Sequence, residues 1–347
     1  MYRKIYNIDN LYLASKKAQK GKKSKVATAK FWLYEDREIL QMHEELRDKN
    51  YKWGGYNSFI FNDKGVERRI SVAPFRDRVL HHAIMNQIEP LFEKSFIFDS
   101  YANRKGKGTS NALKRANYFA KKYKFVLQLD IKKFFPSIDH EILINQLSKK
   151  IECEDTMTLL EDLIINSNRQ DDAYFYFKSD NLFTPFERKK GIPLGNLTSQ
   201  FFGNLYLSRF DHFVKEFLRV KGYIRYVDDT LYFSNSKEFL LECIEKIKDF
   251  LQEYRLRIHP LKIKLLESEN GFIYLGHKVF KTHFRLTSKA IRRGRKNLKK
   301  IKYEYRYGKI EINEAKNRIF GSVGFFKIGK NYNMVDELLL QTTLYRL

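Results

Sequence analysis

The sequence predicts an α+β protein in which an antiparallel sheet is backed by helices. Three observations carry that prediction. From Phe125 the elements run strand, helix, helix, strand pair, helix, strand pair, an order that builds antiparallel neighbours and not a doubly wound parallel sheet. Within Tyr223–Asn235, Asp228 and Asp229 sit between two runs of β-branched and aromatic residues, the pattern of a hairpin with a tight turn. A chain of 347 residues, 43% hydrophobic and 15% aromatic, has enough apolar material for a sizeable core in two or three subdomains and is too apolar to be disordered.

Charge narrows the class of partner. Lys plus Arg number 66 against 41 Asp plus Glu, a net charge of +25, so a polyanion is expected: nucleic acid first, an anionic membrane surface second. No apolar run reaches the length of a membrane span, and Met1–Tyr6 lacks the apolar core of a signal peptide, which predicts a cytoplasmic protein with no membrane partner. Cys153 and Cys243 offer neither a disulfide framework nor a zinc site and read as buried thiols on helices. No internal repeat or low-complexity linker divides the chain.

Residues 1–30 read as polar and basic, the run Lys16–Lys23 being either a mobile or phosphate-contacting segment or a solvated face. A helix is expected from about Ala27 to Lys49, then a turn at Trp53–Gly55. Tyr56–Phe61 and Glu67–Val72 alternate as a hairpin around Asn62–Gly65, and the second strand carries Arg68 and Arg69. After Pro74, Leu80, Ile84, Ile88, Leu91 and Phe92 recur at helical spacing; His81 and His82 read as packing or surface residues because no metal-ligand spacing accompanies them. The basic stretch Ser100–Ser110 leads into a helix from Asn111. Arg104, Lys105 and Lys107 beside a helix start suit a phosphate chain, although the spacing is not that of a nucleotide-binding P-loop.

Phe125–Ile131 reads as a strand that delivers Asp130 at its end; Phe134–Ser137 breaks it, and Asp139 can cap the helix that follows. A helix over 155–166 and an irregular β excursion over Phe175–Pro185 come next. Gly191–Asn196 fixes a turn ahead of a long helix containing Leu205, Phe210, Phe213, Val214 and Phe217. Beyond the Asp228–Asp229 hairpin, the sequence predicts an amphipathic helix over Lys237–Tyr254, a short hairpin over Phe272–Val279, and a strongly basic helical segment from Thr287.

An Asp-Asp pair alone is better explained by a solvated turn. If the strand ending at Asp130 pairs with the hairpin, however, three carboxylates converge. Adjacent carboxylates repel and are usually neutralised by a divalent cation, and oxygen-only donors suit magnesium. Three carboxylates are the minimum for two ions that support in-line phosphoryl transfer.

Val126–His140, Gly191–Leu207 and Tyr223–Phe233 together resemble, in order, the three palm motifs of reverse transcriptases. The likeness extends to Arg69–Arg78, Ser100–Ser110 and Phe272–Val279, so it covers residues 65–280. It implies a right-hand polymerase: residues 1–55 a basic N-terminal segment and start of the fingers, 56–124 fingers, 125–270 palm with 141–190 partly returning to the fingers, 271–284 a primer-grip hairpin, and 285–347 a helical thumb. The resemblance implies that Asp130, Asp228 and Asp229, with Ile131 beside the first, hold two Mg2+ ions, with Mn2+ as a substitute. Lys262 matches a lysine that protonates the leaving pyrophosphate; its alternative reading is a surface lysine. Arg68, Arg69 and Arg76 stand where the fingers meet an incoming deoxynucleoside triphosphate. Phe135 stands where an aromatic residue blocks a ribose 2′-hydroxyl, so that the product is DNA. Tyr274, Leu275 and Gly276 match the primer grip. Arg104, Lys105 and Lys107, with Arg292, Arg293, Arg295 and Lys299 of the thumb, would follow the backbone of template RNA and the RNA/DNA hybrid.

One departure narrows the resemblance. Most reverse transcriptases keep Gln between the Pro and Gly of the middle motif; here Pro193–Leu194–Gly195–Asn196 puts Leu194 there, and Ser199–Gln200 replaces the usual Ser-Pro. This pattern is similar to reverse transcriptases of diversity-generating retroelements. It implies cDNA synthesis that errs at template adenines, a structured template RNA, and a small basic oligomeric accessory protein as partner. An aliphatic side chain cannot supply the polar contacts of Gln, so correct pairs lose part of their advantage; alternatively, Leu194 merely packs. One rival is another bacterial reverse transcriptase, of the retron, group II intron-like or phage-defence kind, although Arg285 onward lacks the Val-Thr-Gly of retrons. The other is a non-catalytic RNA-binding protein on a polymerase scaffold, which predicts a lost aspartate.

Overall fold

The computed structural model describes residues 1–22, 25–63, 66–167, 173–178, 180–328 and 343–345. β1 (Asn57–Asp63) and β2 (Val66–Val72) form a hairpin. β3 (Phe125–Asp130), β4 (Gly222–Tyr226), β5 (Asp229–Ser234) and β6 (Lys264–Glu267) form a central sheet in the order β4-β5-β3-β6. β7 (Phe272–Tyr274), β8 (His277–Val279) and β9 (Phe284–Leu286) form a third sheet. All these strand pairs are antiparallel and helices back the central sheet, so the fold is the α+β class that the sequence predicts.

Period-two alternation in the central sheet separates two cores. Leu127, Leu129, Tyr223 and Tyr232 face the back, into a large core shared with helices Phe75–Glu93, His140–Ser148, Glu154–Ile165, Leu197–Tyr206 and Lys237–Glu253. Val126, Ile224, Leu231 and Phe233 face the front, against helix Thr109–Lys122 and Phe272, Tyr274 and Val279 of the third sheet. A fully buried side chain such as Phe233 stabilises the fold by about 1.5–3 kcal/mol relative to exposure. Asp130 shares the alternation of Val126, and Asp229 that of Leu231 and Phe233, so both carboxylates belong to the front face.

Local chemistry fixes where the helices begin. Asp139 Oδ1 accepts from the Ile142 amide at 3.2 Å, Ser236 Oγ from Phe239 at 3.0 Å, and Thr287 Oγ1 from Ala290 at 3.2 Å. Losing such a cap typically costs about 1 kcal/mol. The Thr287 cap starts Ser288–Arg306, which packs on Ile312–Lys327 through Leu298, Ile301, Ala315, Ile319 and Phe326 as a separate helical unit. No helix among the described residues is long and apolar enough to cross a membrane.

Several expectations need correcting. The basic N-terminal segment is folded: helices Tyr2–Tyr6 and Ile8–Gln19 bury Ile5, Leu11, Ala14 and Ala18 in the large core, with lysines left on the solvent side. The helix expected over 27–49 is two, Val26–Leu33 and Glu35–Arg47, because Tyr34 leaves helical geometry at φ −119°, ψ 28°. No strand occurs in the described part of 175–185; Thr184–Glu187 is a single helical turn there. The long helix after Asn196 breaks at Leu207 and ends in a π-helical turn, Phe213–Phe217. Cys153 is only half-buried at a helix start, whereas Cys243 is buried. Lys64 and Gly65 of the expected hairpin turn, Lys23 of the basic run, and 329–342 and 346–347 of the expected thumb lie outside the described residues.

Candidate active site

Asp130, the last residue of β3, stands directly opposite Asp229, the first residue of β5. Tyr226 pairs with Asp229 across β4 and β5, leaving Val227 and Asp228 as a two-residue turn. Strand pairing therefore brings the three carboxylates together, as the sequence requires of them. Val227 adopts φ 58°, a left-handed conformation that strains a β-branched residue by about 1–3 kcal/mol. Something must hold that turn. The Val227 carbonyl accepts from Nη1 of Arg225 at 3.1 Å, and Arg225 lies fully buried beneath the sheet.

The carboxylates repel one another in a poorly solvated setting. Burial first, and then the charge of Asp130, pushes Asp228 up to about 6, with Lys262 and Arg68 pulling the other way. Asp229 keeps one side open to water, yet the protein crowding its other sides, then Asp228 and Asp130, push it up to about 7. Lys262 Nζ donates to Asp130 Oδ2 at 2.8 Å, which places this lysine in the site and not on remote surface.

Asp130, Asp228 and Asp229 supply only oxygen donors, and their repulsion is a deficit of positive charge that a hard divalent cation relieves. Among the described residues no group of three or more His, Cys, Asp or Glu side chains is arranged to hold a metal ion by itself. Magnesium typically takes one or two protein carboxylates and completes its shell with water and substrate phosphates. Ile131 is buried and bridges Ile258 in antiparallel fashion, extending β3 past Asp130.

The three arginines expected on the triphosphate separate. Arg68 acts electrostatically on Asp228 and shares its strand face with Ile70. The Ile70 side chain approaches Gly195, where an added Cβ would lie 3.3 Å from Ile70 Cγ2. Arg69 is exposed and alternates to the other face of β2. Arg76 is turned inward: Nη1 donates to Glu45 at 2.9 Å, Nε lies 3.4 Å from Glu38, and the guanidinium covers Tyr51, so a triphosphate contact is corrected to a structural ion pair.

Leu194 is half-buried, and its carbonyl accepts from the Ser71 amide of β2 at 3.2 Å. Gly195 follows at φ 110°, a conformation that calls for glycine. Phe135 is half-buried beside Phe134, and its carbonyl accepts from Ile192 at 3.1 Å, joining it to the same loop.

Tyr274, Leu275 and Gly276 form the tip of the β7–β8 hairpin, a two-residue turn with Leu275 at φ 47° and Gly276 at φ 81°. Tyr274 is buried; the exposed residue next to it on the same hairpin is Ile273. Gln128 Nε2 donates to the Ile273 carbonyl at 2.9 Å, and Gln128, Asp130, Asp229, Lys262, Ile273 and Tyr274 line one open pocket. The Gly276 carbonyl accepts from both the amide and the hydroxyl of Thr287, each at 3.1 Å, which ties the hairpin to the helical unit.

Of the basic residues expected on nucleic acid, Arg104 is corrected. Its side chain is 6% exposed, pairs with Glu93 at 2.8 Å, and donates to the carbonyls of Ile97 and Ser100. Lys107 donates to the Phe98 carbonyl at 2.7 Å and lies over the Phe98 ring, whereas Lys105 is exposed. Arg292, Arg293, Arg295 and Lys299 are exposed on the helix whose other side buries Ala290, Leu298 and Ile301.

An antiparallel sheet with paired carboxylates at its strand ends, helices behind and a basic helical pair beyond, is the architecture of a right-hand polymerase. The solved apo telomerase of Candida tropicalis shares the fold, with a TM-score of 0.52 at 11% identity over 84% of this chain and 59% of that one. The family described as "Reverse transcriptase (RNA-dependent DNA polymerase)" matches residues 60–279, more than half of the chain, and the protein belongs to that family. Its members are RNA-directed DNA polymerases that use divalent metals. Protein YkfC of Escherichia coli is 23% identical over 287 residues, 72% of each chain. The mitochondrial nuclear intron maturase 1 of Arabidopsis thaliana is 28% identical over 112 residues, 31% of this chain and 16% of that one. The chain thus spans little more than half of the telomerase and a small part of the maturase.

Proposed function

We propose that the protein copies RNA into DNA by two-metal phosphoryl transfer at Asp130, Asp228 and Asp229, and that the copying errs at template adenines. The observation that carries the first half is the register setting Asp130 across from Asp229, next to Asp228. These carboxylates and the backbone at Ile131 would hold two Mg2+ ions, or Mn2+ in their place, which would supply activation of a 3′-hydroxyl and charge neutralisation of the triphosphate. Lys262, within reach of Asp130, is suited to give a proton to the leaving pyrophosphate. Arg68 is the fingers cation that favours phosphates near Asp228, and Phe135 favours deoxyribose by bulk. Exposed Arg292, Arg293, Arg295 and Lys299 suit the hybrid backbone.

The second half rests on Leu194. Its backbone is fixed to β2 through Ser71, so what changes relative to Gln is the side chain alone, which has no donor or acceptor to offer a templating pair. This reading takes a structured template RNA and a small basic oligomeric accessory protein as partners. Sequencing cDNA made on an RNA rich in all four bases tests it: errors concentrated opposite adenine support it, and errors spread evenly assign Leu194 to packing. A second reading, a faithful intron-type enzyme, is favoured by the likeness to the nuclear intron maturase and predicts that even spread.

A further inference from the structure

The turn that presents Asp228 is held from behind by one buried cation. Arg225 leaves β4 on the back face and is fully buried. Its Nε and Nη2 donate to the two oxygens of Asp211 at 2.8 and 2.7 Å. Nη1 donates to Asn204 Oδ1 at 3.0 Å and to the Val227 carbonyl at 3.1 Å. Asp211 also accepts from the Tyr223 hydroxyl at 2.8 Å, and Asn204 Nδ2 donates to the Ala102 carbonyl at 2.8 Å. The backbone of Arg225 is clasped as well: its amide donates to Asp99 and its carbonyl accepts from Tyr101. A fully desolvated ion pair is weak evidence for stability, because a well-packed apolar pair usually fills such a core equally well. A strained left-handed Val227, by contrast, needs a donor at a fixed point.

We infer that Arg225 is a positioning residue: it holds the Val227 carbonyl, and with it the turn that aims Asp228 and Asp229, while Asp211 and Asn204 hold Arg225. This rests on the reading of Asp228 as a metal-binding carboxylate. Lys at 225 keeps a charge for Asp211 but lacks the planar fork that serves Asp211, Asn204 and Val227 at once. The experiment measures Mn2+ affinity of the full chain by electron paramagnetic resonance, together with primer–template affinity and melting temperature, for the wild type, Asp228→Ala, Arg225→Lys and Arg225→Lys/Val227→Gly. Arg225→Lys should weaken Mn2+ binding about tenfold while primer–template affinity stays within about twofold. Adding Val227→Gly, which adopts the left-handed turn without strain, should recover about threefold or more of the lost metal affinity.

Wild-type Mn2+ affinity in Arg225→Lys overturns the inference, as does a joint loss of metal and primer–template binding that Val227→Gly leaves untouched. If Arg225→Lys does not fold, Asn204→Ala keeps the Asp211 pair and removes one partner of Nη1. Weakened Mn2+ binding there supports the role, and unchanged binding overturns it. Asp228→Ala separates the two ideas: if it binds Mn2+ like the wild type, the metal-site reading fails, whereas weak binding there with normal binding in Arg225→Lys refutes only the role of Arg225.

Discussion

The ammonium of Lys262 rests 2.8 Å from Oδ2 of Asp130, so a cation of the protein's own is seated on a carboxylate proposed to hold metal. Lys262→Ala should remove that competitor and tighten Mn2+ binding by the free protein, while nucleotide addition slows by about 100-fold through loss of a proton donor. Paramagnetic resonance of bound Mn2+ and single-turnover extension read the two effects separately. A fall in both would make Lys262 a structural support.

The raised acidities give a pH dependence whose sign can be worked out. Burial and mutual repulsion lift Asp228 to about 6 and Asp229 to about 7, from 3.8. Between the ordinary and the raised values the folded chain binds protons that the unfolded chain has lost, so stability falls as pH rises through that window. Without divalent ions the melting temperature should therefore drop by a few degrees from roughly pH 5 to pH 8. Asp229→Asn should flatten the slope, and Mg2+ affinity should rise with pH over the same range because the ions compete with protons. A melting temperature that climbs with pH in the wild type and is untouched by Asp229→Asn would refute this.

Leu194→Gln restores polar reach at one position without altering the Ser71 contact of its backbone. Misincorporation opposite adenine should fall by about tenfold, with little change in extension rate on a matched template. Sequenced cDNA from the two proteins decides the matter.

Arg292 and Lys299 lie two turns apart on the exposed side of Ser288–Arg306. The double substitution to Gln should lower the slope of log affinity against log salt for an RNA/DNA hybrid by about 2, one for each lost phosphate contact. Stability should move by less than about 0.5 kcal/mol, since neither residue is buried.

Convergence of the carboxylates was legible because a strand that ends in Asp and a hairpin whose turn carries Asp-Asp leave few ways to pair. The helices at Tyr2–Tyr6 and Ile8–Gln19 were hidden because lysines on their outer side outweigh Ile5, Leu11 and Ala14 on the inner one. β6 and β9, four and three residues long, are too short for alternation to register. Arg104 and Lys105 look equivalent in sequence; only the folded loop brings Glu93 and two carbonyls around the first and leaves the second in solvent. Arg225 gave no signal at all, because Asn204 and Asp211 lie on helices that only tertiary packing carries beneath the sheet.

Primer extension on an RNA template with Mg2+ and deoxynucleoside triphosphates, for the wild type and an Asp228→Ala/Asp229→Ala control, tests the proposed chemistry most directly. DNA made by the wild type and absent in the control is the expected result. Absence of DNA from the wild type even with the accessory protein supplied, or equal synthesis by the control, would contradict it.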